Sequence, residues 1–291
     1  MHADYTLRRL LERPAIVVAP GAYDAMTARL VEQAGFAAVY MTGAGTSAAL
    51  GYPDYGLVTM SEMVDNAARL ARSVAVPVIA DADTGYGNEL NVIRTVREYE
   101  SRGVAAIHIE DQVAPKRCGH LDGKEVVPRE AFVSKIRAAV SARRDPDFMI
   151  IARTDSRAVV GFDEAIARAR LALDAGADMA FVEATQTIEE MAAVPRLVGG
   201  PCLLNVVAGG KTPAVPMSDA QAMGYRLAIF PALLFKAVVE ACDDALAAVK
   251  ETQMSPPGRD IPIHELFRRF GADEWDGLRA QFDGHKCPST F

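Results

Sequence analysis

The stretch Asp174-Ala175-Gly176-Ala177-Asp178-Met179-Ala180-Phe181-Val182 decides the fold. Its Gly stands where the amphipathic stretch 162–175 should end, and four apolar residues, 179–182, follow after Ala177 and Asp178. A helix that stops on Gly and feeds a short buried run is one α-to-β step of an α/β protein. The same step recurs at Glu32-Gln33-Ala34-Gly35-Phe36-Ala37 and at Ser101-Arg102-Gly103-Val104-Ala105. Working outward, short apolar runs fall at 15–19, 37–41, 76–80, 105–109, 149–152, 179–182, 202–204 and 227–230. Runs without alternation suit strands covered on both faces of a parallel sheet. Helical patterns lie between them at 22–34, 61–73, 90–102, 128–143, 162–175, 188–197 and 218–223, several ending on Gly35, Gly103, Gly176 or Gly224. Eight strand candidates in strict alternation with helices predict a (β/α)8 TIM-type barrel. An open doubly wound sheet is the alternative.

The chain has 291 residues, half of them hydrophobic, enough for one large domain with an extension. Residues 1–250 are assigned to the barrel and 251–291 to a C-terminal helical extension. A long helix at 233–250 and a break at Met254-Ser255-Pro256-Pro257-Gly258 precede two short helices, 263–270 and 273–282. Their Leu266, Phe267, Phe270, Trp275 and Leu278 need burial, on the chain's own barrel or, as favoured here, on a neighbouring subunit. A net charge of −7 argues against nucleic acid as a partner. Cys118, Cys202, Cys242 and Cys287 are scattered and form no CxxC, which argues against a disulfide framework or zinc knuckle. The N-terminus lacks an apolar signal core, and no apolar run is long enough for a membrane span. The expectation is a cytoplasmic protein with reduced thiols.

In such a barrel, chemistry sits where the strands end. Six successive strand ends carry polar groups: Thr42 to Ser47; Asp81 and Asp83; His108, Glu110 and Asp111; Arg153 to Asp155; Glu183; and Asn205. Carboxylates crowded as Asp81, Asp83 and Glu110 are repel one another unless a cation or proton intervenes. All-oxygen donors favour a hard divalent ion, Mg²⁺ first and Mn²⁺ second. Alternatively, Asp81-Ala82-Asp83 is an Asx-turn capping the next helix. Gly43, Gly45 and the hydroxyls of Thr42, Thr46 and Ser47 make a small-residue loop able to cradle a carboxylate or phosphate. Arg153 suits a carboxylate clamp, or else an ion pair with Glu183 or Asp155. Lys211 is a possible anion ligand on a flexible rim loop, and His108 a satisfied core or supporting group. Finally, Pro115-Lys116-Arg117-Cys118-Gly119-His120 places a thiol among cationic groups, which draw its pKa towards neutrality.

Lys116-Arg117-Cys118-Gly119-His120 resembles the signature of the isocitrate lyase and phosphoenolpyruvate mutase superfamily. Asp81-Ala82-Asp83-Thr84-Gly85-Tyr86-Gly87 resembles its metal loop, and His108-Ile109-Glu110-Asp111-Gln112 its next strand end. Tyr40 to Gly43, Tyr52-Pro53-Asp54, Ala152-Arg153-Thr154-Asp155 and Asn205 match in order, over roughly residues 20–250. The short-chain lyases acting on 2-methylisocitrate-like or dimethylmalate-like acids are the most similar group.

The resemblance implies a barrel, a Mg²⁺ site, and a homotetramer that swaps a C-terminal helix. It implies Asp83 as main metal ligand, with Asp54, Asp81 and Glu110 supporting it, partly through water. It puts Thr42, Gly43, Ala44 and Arg153 on a substrate carboxylate, and Glu183 and Asn205 along the site. The implied reaction cleaves a C–C bond of a 2-hydroxy di- or tricarboxylate, releasing pyruvate and a second carboxylate. Tyr40 would be the base for the hydroxyl, Cys118 the proton donor to the carbanion, and Lys116, Arg117 and His120 would stabilise developing charge. Thr42-Gly43-Ala44 stands where many lyases have Ser-Gly-Gly, and Ala208 where several relatives are acidic; both bear on substrate choice. Oxaloacetate decarboxylation or hydrolysis is the alternative within the superfamily. Phosphonate chemistry is disfavoured by Cys118, because phosphonate mutases characteristically lack Cys there. A non-catalytic keto-acid binding barrel is the distant alternative.

Overall fold

A computed structural model of the chain describes residues 6–254 and 261–282. It falls into two compact units, Met1–Val238 and Val239–Phe291. The break at 255–258, with His2, His285 and Cys287, lies outside the described residues.

The first unit is a closed parallel barrel of eight strands in chain order. They are β1 (Val17–Ala22), β2 (Val39–Met41), β3 (Val78–Asp81), β4 (Ala106–Glu110), β5 (Met149–Thr154), β6 (Met179–Val182), β7 (Cys202–Asn205) and β8 (Leu227–Phe230). The barrel closes where Val17 to Pro20 pair with Leu227 to Phe230. Helices α1 (Leu7–Glu12), α2 (Ala25–Gln33), α3 (Gly43–Ala49), α4 (Met60–Ser73), α5 (Glu89–Ser101), α6 (Arg129–Ala142), α7 (Ser156–Val159), α8 (Phe162–Asp174), α9 (Ile188–Val198) and α10 (Met217–Met223) intervene. They are followed by α11 (Leu233–Thr252), α12 (Ile263–Arg268) and α13 (Ala272–Phe282). The open-sheet alternative is therefore excluded. Gly35, Gly103 and Gly176 take φ of 86°, 80° and 100°, the left-handed turn that ends a helix at least steric cost.

The core has three layers, set by which face of each strand a side chain occupies. Inside the barrel, Ile79, Ile151, Phe181, Leu203 and Ile229 pack together with Leu7 and Leu10 of α1. One outer layer packs α2, α4, α5 and α6 on the early strands, with Tyr99, Phe132 and Ile136 fully buried. The other packs α8, α9 and α10 on β6 to β8 through Met191, Val194 and Tyr225. Burying such side chains contributes about 1.5–3 kcal/mol each. With the core filled, polar groups that end strands are left at the rim.

Three helices were not expected from sequence: α1, α3 and α7, of 6, 7 and 4 residues. In particular, residues 43–49 are not the loop that their small side chains suggest. Thr42 starts the helix, its Oγ1 accepting from the Gly45 N–H at 3.3 Å. No described helix is long and apolar enough to cross a membrane.

Candidate active site

The acidic residues meet where β3 and β4 end. Asp81 lies opposite His108 in register, and Glu110 opposite Arg153. After Asp81 the chain turns through Asp83, whose φ of 45° is unusual for a residue with a side chain. Two bonds hold that turn: the Asp83 N–H donates to Asp81 Oδ1 at 3.0 Å, and Asp83 O accepts from the Glu110 N–H at 2.9 Å. Strained backbone kept in place by its surroundings is common at functional sites. Asp81, Asp83 and Glu110 are all buried. Burial pushes Asp83 and Glu110 above the usual carboxylate range, and neighbouring carboxylates add to it. Asp81 is held below that range because His108, Lys116 and Arg153 outweigh its burial.

These residues fit a hard cation in part. Asp83 Oδ1 and both Glu110 carboxylate oxygens are buried without a hydrogen-bond partner. Lys116 Nζ lies 2.9 Å from Asp83 Oδ1, and Arg153 Nη1 3.1 Å from Glu110 Oε2, but neither is aligned as a hydrogen bond. Among the described residues, no three Asp, Glu, His or Cys side chains are gathered closely enough to hold an ion alone. A site with oxygen donors but few direct contacts suits Mg²⁺, which keeps much of its water. Asp54 takes a different position. Its Oδ1 lies 2.5 Å from Lys116 Nζ, the ammonium that also faces Asp83.

The segment carrying Cys118 is packed onto this rim. The Cys118 N–H donates to Asp54 O at 3.2 Å. Lys124 Nζ donates to Gly119 O and to Asp155 Oδ1, the latter at 2.9 Å. A Cβ on Gly119 would run into Arg153 and Glu183, so only Gly lets the chain sit this close. The thiol pKa is pushed up, mainly by burial, against the opposing His120 backbone N–H. This reverses the shift expected from the flanking cations. Lys116 points inwards, whereas Arg117 is exposed and lies 5.7 Å over the Tyr55 ring, away from the carboxylates. Arg117 thus does not join the site.

His120 is fixed from the β7 side. Its Nδ1 accepts the Lys211 N–H at 3.0 Å, so Nε2 carries the proton and faces Glu183 Oε1 at 3.4 Å. Burial lowers the His120 pKa and keeps the ring neutral. Asn205 Nδ2 donates to Glu183 Oε2 at 2.9 Å, leaving Asn205 Oδ1 buried and unpaired. The Lys211 side chain binds Asp122 at 2.6 Å, which corrects its reading as an anion ligand.

Arg153 resolves towards the ion-pair alternative. Its Nε and Nη2 grip both oxygens of Asp155 at 3.0 and 3.2 Å, and Nη2 also reaches Glu183 at 3.3 Å. Deeper in the barrel, Tyr40 Oη and His108 Nε2 are 2.8 Å apart, with Asp81 Oδ1 3.6 Å from that nitrogen. Burial lowers His108 to about 4, so its ring is neutral. Burial and Asp81 raise the Tyr40 phenol well above its ordinary value. Gly43, at the start of α3, abuts the Asp81 carboxylate, with buried Thr42 and half-buried Ala44 beside it. Two supporting residues had no clear sequence signal. Lys124 was not singled out, and Asp111, which accepts from the Asp155 N–H at 2.8 Å, was seen only as rim polarity.

Fold and site together define an acid-rimmed (β/α)8 barrel with a thiol-bearing segment over its carboxyl end. Residues 7–250 match the phosphoenolpyruvate phosphomutase family. The chain belongs to the phosphoenolpyruvate mutase/isocitrate lyase superfamily. It is 49% identical to 2,3-dimethylmalate lyase of Eubacterium barkeri, over 86% of this chain and 87% of that one. It is 48% identical to 2-methylisocitrate lyase of Aeropyrum pernix, over 84% and 79%. An oxaloacetate acetylhydrolase with 3,3-difluorooxalacetate superposes with a TM-score of 0.92 at 38% identity, covering 95% of each chain. A phosphonopyruvate hydrolase with oxalate and Mg²⁺ superposes with a TM-score of 0.86 at 30% identity, covering 97% and 99%.

Proposed function

We propose that the chain is a Mg²⁺-dependent carbon–carbon lyase that splits a 2-hydroxy di- or tricarboxylate into pyruvate and a second carboxylate. The observation that carries this reading is a thiol that burial keeps protonated, on a segment packed onto a rim of buried carboxylates of which Asp83 and Glu110 have oxygens without a hydrogen bond. The similarity to two lyases of such acids supports it. Asp83 would hold the ion, with Asp81, Glu110 and Asp54 around it, partly through water; Mn²⁺ would substitute. When bound, the ion supplies Lewis-acid polarisation of the substrate hydroxyl and carboxylate.

The chain's own groups then divide the work. Thr42, Gly43 and Ala44 receive a substrate carboxylate at the start of α3. Arg153 orients Glu110 and Glu183 in place of clamping substrate directly. Tyr40 takes the hydroxyl proton while its own passes to the neutral His108 ring, 2.8 Å away. The C–C bond breaks as the hydroxyl oxygen becomes the keto oxygen of pyruvate, and its electron pair moves to the departing carbon. Cys118 Sγ–H protonates that carbon, and the His120 backbone N–H stabilises the resulting thiolate. The raised thiol pKa serves this direction, because a donor must hold its proton at working pH. The Nε2–H of His120 and the Lys116 ammonium stabilise negative charge as it develops. Glu183 and Asn205 line the pocket.

We extend the proposal to a homotetramer in which residues 251–291 pack on a neighbouring subunit. Phe267 and Trp275 are 58% and 69% exposed on α12 and α13, which favours a partner covering them.

A second reading, oxaloacetate hydrolysis, is favoured by the close superposition on an oxaloacetate acetylhydrolase. Product analysis separates the two. With Mg²⁺, 2-methylisocitrate or 2,3-dimethylmalate should yield pyruvate, and EDTA should abolish it. Oxalate from oxaloacetate, with neither hydroxy acid cleaved, would replace the lyase reading by the hydrolase.

A further inference from the structure

The turn that presents Asp83 is held from behind by α5. Between the end of β3 and the Asn88 cap of α5 the chain has only residues 82–87. Four of these take positive φ: Asp83 at 45°, Gly85 at 80°, Tyr86 at 61° and Gly87 at 148°. Asp83 and Tyr86 carry side chains, so the turn persists only if its surroundings hold it. Val92, Thr95 and Tyr99 recur on the buried face of α5 and meet the turn there. Val92 leaves no room for a side chain at Gly85. Thr95 Oγ1 donates to Gly85 O at 3.2 Å, and Tyr99 Oη donates to Asp81 O at 3.0 Å. The one proton of Tyr99 is used there, so Tyr86 Oη, 3.3 Å away, donates to Tyr99 Oη. Thr95 and Tyr99 are wholly buried, where a carbonyl that loses its donor finds no water to replace it. The two bonds bracket Asp83, one before it at residue 81 and one after it at residue 85.

We infer that Thr95 and Tyr99 are positioning residues for the divalent ion: their hydroxyls fix the left-handed turn that aims Asp83, and so set the ion's affinity without touching it. The inference rests on the reading of Asp83 as a metal ligand. Mg²⁺ demands a near-ideal arrangement of oxygens, so a ligand carboxylate that can swing binds it less well. Side chains that orient metal ligands from behind typically carry roughly 10- to 100-fold in affinity or activity. Lys135 Nζ, from α6, adds a third bond to the same turn, at 3.2 Å from Thr84 O. Its charge also acts on Glu110, so replacing it changes field and position together. The two α5 hydroxyls are neutral, and removing either changes position alone.

The test uses Mn²⁺ alone, without substrate or turnover. Mn²⁺ binding is measured by electron paramagnetic resonance for the full-length wild type, Tyr99→Phe, Thr95→Val, Thr95→Ser and Tyr225→Phe, with urea unfolding of each. Tyr225→Phe is the matched control. It removes another buried phenol, one that donates to Met191 O at 3.0 Å in the layer of α8, α9 and α10. Tyr99→Phe and Thr95→Val should each bind Mn²⁺ about tenfold more weakly, the low end of that range. Thr95→Ser keeps the hydroxyl and should stay near wild type. Tyr225→Phe should lose as much stability as Tyr99→Phe and keep wild-type affinity. Wild-type Mn²⁺ affinity in Thr95→Val and Tyr99→Phe, or an equal loss in Tyr225→Phe, would overturn the inference and leave the metal site standing. Thr95→Val alone decides the matter if Tyr99→Phe fails to fold. No Mn²⁺ binding by wild type would overturn both the inference and the reading of Asp83.

Discussion

At the residue scale, strand ends bring Asp81, Asp83 and Glu110 to one rim, because a filled barrel core leaves few other places for polar groups. What the side chains do there was less legible. Lys116 and Arg117 look equivalent in sequence, yet one enters the acidic cluster and the other meets Tyr55. Cationic neighbours suggested an acidified thiol, but burial dominates and raises its pKa. The thiolate fraction at neutral pH is therefore below that of a free cysteine and grows only as pH rises. Carboxymethylation of Cys118 by iodoacetate should accordingly be slower than that of free cysteine at about pH 7.5 and accelerate into alkali; faster alkylation at neutral pH would contradict this. Lys124 escaped notice because its partner Asp155 is 31 residues away. Both side chains are almost wholly buried, so Lys124→Met removes one of the two cations on Asp155, leaves Arg153 as the other, and should cost about 1.5–3 kcal/mol in urea unfolding.

At the element scale, the strands and the long helices were read to within a few residues, since periodicity and Gly stops mark both. The short helices α1, α3 and α7 were not, because one or two turns carry too little periodicity to register. Helix starts follow ordinary capping chemistry. At α2, the Asp24 carboxylate accepts the Thr27 N–H at 2.7 Å, and Asp24→Ala should lower stability by about 1 kcal/mol in urea unfolding. The Cys118 segment needs Gly119 for its close seat against Arg153 and Glu183. Gly119→Ala should cut turnover at least tenfold while shifting Tm little, because the added methyl displaces the segment and not the barrel. A drop in Tm with turnover kept would reverse that assignment.

For the whole molecule, the fold was legible because eight repeats of one short unit allow few topologies. The substrate was not, since its selection depends on which rim segments meet, and Ala44 and Ala208 alter that set without revealing the outcome. The apolar residues of α12 and α13 predict self-association. Sedimentation of the full-length protein should give a species of four 31.2-kDa chains, and Trp275→Asp should shift it to smaller assemblies. A monomer at micromolar concentration would refute the tetramer.

The most direct test of the central claim is pyruvate release with Mg²⁺, from 2-methylisocitrate and 2,3-dimethylmalate, by wild type and Cys118→Ser. Wild type should cleave one of the two, and Cys118→Ser should be slower by about 10²–10⁴-fold, the usual contribution of a positioned proton donor. Cleavage by Cys118→Ser at the wild-type rate would show that the carbanion takes its proton from elsewhere.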